Sequence, residues 1–133
     1  ERPIEEVRFN GFIAENLKVT DNGFAYIEIT DEDIKHYGVD SSTASNLINN
    51  FNYMKNIFVW TFVTYDAKQE LYKVNIRSRG PVINDIASRY HGGGHKMASG
   101  VRTKEKQDID HLLKDLDEEC KKYKEDREKC QNF

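Results

Sequence analysis

Ile57-Phe58-Val59-Trp60-Thr61-Phe62-Val63 is almost continuously apolar and is built from β-branched and aromatic residues, as in a central strand covered on both faces. After a short turn its neighbour alternates. Tyr72, Val74 and Ile76 face one way, whereas Lys73, Asn75, Arg77 and, if the strand continues, Arg79 face the other, so one side is apolar and the other basic. Pro81 breaks that strand. Phe58, Trp60 and Phe62 repeat with the period of a base-stacking platform. The residues between them are apolar too, which favours core packing.

Toward the N-terminus, Gly11-Phe12-Ile13-Ala14 and Phe24-Ala25-Tyr26-Ile27-Glu28-Ile29 flank Asp21-Asn22-Gly23 and predict an antiparallel hairpin. Thr30, with Glu32 and Asp33 behind it, starts a helix that Tyr37-Gly38 ends. Ser41 or Ser42 caps a second helix whose core stripe is Ala44, Leu47, Ile48 and Phe51. Toward the C-terminus, Asn84 caps a short helix carrying Ile86, Ala87 and Tyr90, which Gly92 stops. Ile109, Leu112, Leu113, Leu116, Cys120 and Tyr123 mark one face of a long amphipathic helix, and the polar last residues are expected to fray. The expected fold is a single α/β domain with one core: a mixed β-sheet with antiparallel hairpins, packed helices and a long C-terminal amphipathic helix.

A length of 133 residues, with 38% hydrophobic and 32% charged residues, suits one globular domain. The net charge of -3 argues against nucleic acid until its distribution is read. Residues 73 to 102 hold Lys73, Arg77, Arg79, Arg89, Lys96 and Arg102 against Asp85 alone, a local +5 that leaves -8 for the remainder. Cys120 and Cys130 lie ten apart on the long helix, about 15 Å along its axis and beyond disulfide reach. They are expected to be free thiols. No apolar stretch approaches the roughly 18 residues that span a bilayer, and no charged-then-apolar leader opens the sequence, so no membrane partner and a cytoplasmic location are expected. The opening Glu1-Arg2-Pro3 lacks an initiator Met and suggests processing or an excised piece.

Within the basic island lies Tyr90-His91-Gly92-Gly93-Gly94-His95-Lys96. Three consecutive glycines make a poor helix, strand or core. Their N–H groups can turn toward one point and cradle an anion, with His95 and Lys96 adding donors and charge. The run follows a helix C-terminus, whose partial negative charge repels anions. The expected grip therefore comes from loop amides, side chains and a helical turn starting near His95, with Ser99 and Gly100 making the next turn. The spacings of the P-loop and of the dinucleotide fingerprint are absent.

Ile76-Arg77-Ser78-Arg79, then Ile86-Ala87-Ser88-Arg89-Tyr90, then Gly92-Gly93-Gly94-His95-Lys96-Met97-Ala98-Ser99-Gly100 together resemble the substrate-binding domain of DHH phosphoesterases, particularly the bacterial oligoribonuclease/phosphoadenosine-phosphate phosphatases. The likeness runs over nearly the whole chain. It implies that residues 1–133 are a DHH-associated substrate-binding domain, whose partners are a short RNA or nucleotide substrate and its own N-terminal DHH domain. That domain, absent here, would carry two manganese ions and perform hydrolysis. The domain itself would carry no catalytic residue, metal or cofactor. By resemblance, Arg77 and Ser78 contact phosphate or substrate, Gly92, Gly93 and Gly94 form the backbone cradle, and His95 donates a hydrogen bond to phosphate; Arg79 and Lys96 follow. His91 stands where the family carries a fourth glycine, and Tyr90 or His91 is the nearer aromatic for base stacking.

Simpler roles stand beside these. Arg77 could make a surface salt bridge and His95 could tether a backbone carbonyl. His36 reads as a helix-end surface residue and His111 as part of a solvated pair with Asp110. No Asp-His-His triplet occurs. The alternative functions are the substrate domain of a cyclic-dinucleotide phosphodiesterase and a stand-alone RNA-binding or regulatory module.

Overall fold

The computed structural model describes residues 1–131. In chain order they form α1 (Ile4–Asn16), β1 (Lys18–Val19), β2 (Phe24–Ile29), α2 (Asp31–Tyr37), α3 (Thr43–Leu47), a 3-10 turn (Ile48–Phe51), β3 (Val59–Asp66), β4 (Leu71–Ser78), α4 (Asn84–Ser88), β5 (Gly93–His95), β6 (Ala98–Thr103) and α5 (Lys106–Gln131). The strands make one mixed sheet in the order β1-β2-β3-β4-β6-β5. Only the β2–β3 pair is parallel, and the crossover through α2 and α3 supplies the connection a parallel pair needs. The expectation for the chain's last residues lies outside the described ones beyond Gln131.

The sheet parts the apolar interior into two clusters, where one core was expected. Ala25, Ile27, Ile29, Trp60 and Phe62 face α1, α2, α3 and the 3-10 turn. Phe24, Val59, Val63, Val74, Ile76 and Val101 face α4 and α5, which bring Ile86, Ala87, Ile109, Leu112, Leu116 and Cys120. A strand buried on both faces has no polar side to alternate with, which explains the continuous apolar run of β3. Phe58 precedes β3 and packs with the second cluster, while Trp60 and Phe62 belong to the first.

Gly11–Ala14 is helical, correcting the expected strand. Phe9 and Ile13, four residues apart, are both fully buried, and Phe12 packs on Tyr37 with ring centroids 5.0 Å apart. Burying two such side chains contributes about 1.5–3 kcal/mol each. A glycine within a helix costs only about 1 kcal/mol against alanine, so packing prevails over local strand preference. The hairpin turn is where Asn22-Gly23 predicts it, but β2 pairs with Lys18–Val19. Asp117 on α5 accepts from Thr20 Oγ1 at 2.7 Å and from Asn22 Nδ2 at 3.3 Å, fixing that turn to the helix.

The start of α2 has the expected Thr30 cap, reciprocated by the Asp33 side chain, and Gly38 closes the helix in the left-handed conformation. The two other predicted caps differ. Ser42 stands at the N-terminus of α3 without capping it, because its hydroxyl bonds Asp40. Asn84 is the first helical residue of α4, preceded by Ile83 at the cap position. The chain then leaves α4 through His91, at φ +64°, before reaching Gly92.

Candidate functional site

Cross-strand partners in a sheet point to the same side, so the register arranges the basic island in rows. Arg77, Ala98 and His95 form one row across β4, β6 and β5. Asn75, Gly100 and Gly93 form the next, and Lys73 with Arg102 the third. Successive rows lie two residues apart, about 7 Å. These rows continue the face that carries Trp60 and Phe62 on β3. Helices cover that face over β2 and β3. Over β4, β6 and β5 it holds a groove of about 430 Å³, bordered by Ser45, Lys73, Asn75, His91, Gly93 and Arg102. Lys73 and Arg102 are its cationic end, and the row of Arg77 and His95 lies just beyond its lining, past Asn75, Gly100 and Gly93.

The glycine run is an edge strand rather than a loop, a correction with two causes. Gly93, Gly94 and His95 pair with Gly100, Ser99 and Ala98 through a tight turn at Lys96-Met97. The approach is also too close for side chains. A Cβ on Gly92 would lie 2.2 Å from the Gly100 carbonyl oxygen and 2.5 Å from Val101 Cγ2, and one on Gly94, at φ +138°, would lie 2.7 Å from the Ala98 carbonyl oxygen. Gly93 differs, since a Cβ there meets nothing within 4 Å. No helical turn begins at His95, and Ser99 and Gly100 belong to β6 rather than to a turn. The cradle becomes a sheet edge whose outer side turns backbone groups outward at alternate positions. The Gly92 N–H is already committed to the Ala87 carbonyl oxygen at 3.0 Å.

Arg77 is half-buried. Its Nε donates to Asn49 Oδ1 at 3.2 Å and its Nη1 to the Ile76 carbonyl oxygen at 3.0 Å. Burial lowers its pKa from the ordinary guanidinium value, and arginine stays charged in proteins. No carboxylate pairs with it among the described residues, so the simple salt-bridge role falls away. The His95 side chain has no hydrogen-bond partner among the described residues; its carbonyl oxygen accepts from Ser99 Oγ at 2.8 Å. Lys96 is exposed in the turn, and its carbonyl oxygen takes the Ile83 N–H at 2.9 Å.

Two of the expected contacts are engaged elsewhere. The buried Ser78 hydroxyl donates to the Pro81 carbonyl oxygen and accepts from Gly80 N, holding the turn that follows β4. Arg79 donates to the Ile57 and Met54 carbonyl oxygens at 3.2 and 2.9 Å and so clamps the loop entering β3. Tyr90 also turns away. Its hydroxyl donates to Asp115 on α5, its ring packs with the second cluster, and burial followed by that carboxylate pushes its pKa up to about 12. Of the two stacking candidates, only His91 borders the groove.

Lys73 and Asn75 are legible in the sequence as part of a basic strand face and Arg102 as part of the basic island, but none of them as a groove wall. Ser45 had no signal, because α3 brings it across to accept from Asn75 Nδ2 at 3.0 Å. His36 and His111 are exposed on α2 and α5. Among the described residues no group of three or more His, Cys, Asp or Glu is gathered to hold a metal ion, and no helix is long and apolar enough to cross a membrane. Both cysteines are free, Cys120 buried and Cys130 exposed.

Residues 21–122 match the DHHA1 domain family. The chain is 35% identical over 123 residues to the bifunctional oligoribonuclease and PAP phosphatase NrnA of Bacillus subtilis, covering 92% of this chain and 39% of that protein. Among solved structures, an exopolyphosphatase-related protein from Bacteroides fragilis superposes with a TM-score of 0.77 at 24% identity, covering 91% of this chain and 37% of that one. A pGpG-specific phosphodiesterase, PggH, from Vibrio shares the fold with a TM-score of 0.61 at 14% identity, over 90% of this chain and 40% of its own.

Proposed function

The chain belongs to the DHHA1 domain family, and from that premise we propose that it grips the nucleotide and phosphate groups of short oligoribonucleotides, or of 3′-phosphoadenosine 5′-phosphate, for a hydrolytic DHH domain. One observation carries the reading: Arg77 and His95 share an open sheet face whose neighbouring row carries glycine, with no carboxylate on the arginine among the described residues. Two strand spacings separate them, about 10 Å, and the long arginine side chain shortens the gap. Its free Nη2 edge suits a non-bridging phosphate oxygen. His95 donates from the other side, and the glycine floor lets the ligand approach the backbone.

The two manganese ions of the proposed assembly do not fit the described residues, which gather no ligand set. In the proposed assembly they belong to the hydrolytic domain. The contribution of this chain is positioning, which supplies part of a rate enhancement by holding the reacting group in orientation. Free thiols fit a reducing cytoplasm.

The test is calorimetric titration of a 5′-phosphorylated diribonucleotide into the chain and its Arg77→Ala and His95→Ala variants. Each substitution removes a charge-assisted contact of about 1.5–3 kcal/mol, roughly a ten- to hundredfold loss of affinity. Binding should also weaken with salt. Unchanged affinity in both variants, or indifference to salt, would remove the assignment. Manganese-dependent turnover by the chain alone would contradict the division of labour.

A further inference from the structure

We propose that the Lys73–Arg102 end of the groove is a second anion subsite, holding a further phosphate of a single-stranded oligonucleotide whose first phosphate lies at Arg77 and His95; the proposal rests on the function just given. Lys73 and Arg102 are direct cross-strand partners. Like charges so placed repel, and only one of the two is neutralised. Lys73 Nζ lies 2.9 Å from Asp66 Oδ2, with side chains only 18% and 6% exposed. Arg102 is exposed and has no carboxylate partner among the described residues. An uncompensated cation bordering a groove favours an anion there.

The dimensions select the ligand. Lys73 and Arg77 stand four residues apart on β4, about 13 Å, too far for one phosphate to satisfy both ends. Neighbouring phosphates of one strand fall well short of that length, so two nucleotides of an extended strand span it, with a nucleoside over the intervening row of Asn75, Gly100 and Gly93, where two of three positions carry no side chain. Asn75 is steadied by its hydrogen bond to Ser45, so the wall beside the nucleoside is fixed from α3. His91 borders the same groove and offers an imidazole face to that nucleoside.

The experiment is a length ladder. Adenosine 5′-monophosphate and 5′-phosphorylated di- and triadenylates are titrated at several salt concentrations into wild type, Arg102→Ala, Arg102→Lys and Arg77→Ala, with thermal midpoints recorded for each. Wild type should gain affinity and salt slope from mono- to trinucleotide. Arg102→Ala should leave the mononucleotide unchanged, weaken the trinucleotide roughly three- to tenfold and lower its salt slope by about 0.7; Arg102→Lys should restore most of the slope. Arg77→Ala should weaken every length. If Arg102→Ala binds the trinucleotide as wild type does, or weakens all lengths equally, the second subsite is refuted while the Arg77 site stands. If wild type binds no length at all, both fall.

Discussion

Gly92 and Gly93 are adjacent and chemically identical, yet the structure gives their alanine variants opposite consequences. At Gly92 the added methyl would sit 2.2 Å from the Gly100 carbonyl oxygen and 2.5 Å from Val101 Cγ2. The first of these is backbone of a paired strand and cannot swing aside. Overpacking of this kind costs about 1–3 kcal/mol or more, out of a total stability on the order of 5–15 kcal/mol. For a domain of this size each kcal/mol lowers Tm by roughly 4 °C, so Gly92→Ala should melt at least several degrees early. At Gly93 a methyl meets nothing within 4 Å and the backbone needs no left-handed angle. Restricting the unfolded chain should then stabilise the protein by about 0.4–1 kcal/mol.

Binding should run the other way. The Gly93 methyl stands on the groove floor, where the proposed ligand approaches the backbone. Losing one charge-assisted contact there costs about 1.5–3 kcal/mol, a ten- to hundredfold fall in affinity. Thermal melts and titrations with a 5′-phosphorylated diribonucleotide read both quantities on the same samples. Wild-type affinity in Gly93→Ala would refute close approach to the floor, and a wild-type Tm in Gly92→Ala would refute the tight β5–β6 contact.

Other perturbations test the frame around the groove. His91 occupies the left-handed region at φ +64°, which costs a non-glycine residue about 1–2 kcal/mol, while glycine carries an entropic cost of about 0.5–1 kcal/mol. His91→Gly should therefore stabilise the fold by up to about 1 kcal/mol in denaturant melts, and a loss of stability would show that the side chain contributes more than its backbone costs. Asp66 accepts from Lys73 and from the N–H groups of Gln69 and Lys68, which hold its pKa below the ordinary 3.8. A depressed carboxylate pKa stabilises the fold above the unfolded value and loses that contribution as pH falls through the folded one. Asp66→Asn should accordingly melt below wild type at neutral pH, with the gap closing under pH 3.8; a gap independent of pH would mean that geometry, not charge, is lost.

The parts of this chain legible from sequence are those where one element's own periodicity decides the outcome. The stripe from Ile109 to Cys120 repeats as a helix must, β3 is apolar on both faces, and β4 alternates, so each announces its surroundings. Arg77 was legible in the same way, as a cation on the polar face of an alternating strand. What failed depended on a distant partner. Gly11–Ala14 has the composition of a strand and becomes a helix because Phe9 and Ile13 bury against elements that follow it in sequence. Ser45 reaches the groove only because a separate helix carries it there.

The glycine run misleads for another reason: low strand propensity carries no information about a neighbouring strand, and β6 comes too near Gly92 and Gly94 for a side chain. Three local rules are broken around one groove: glycines inside strands, a histidine in a left-handed turn, and two cations directly opposed. Each departure lowers stability, and each lies within the residues that border or underlie the same depression. Sequences otherwise agree with their folds at every level, and departures concentrate where function needs them. The co-location of these three on the one sheet face left open by the helices supports a ligand site there independently of any single residue's assignment.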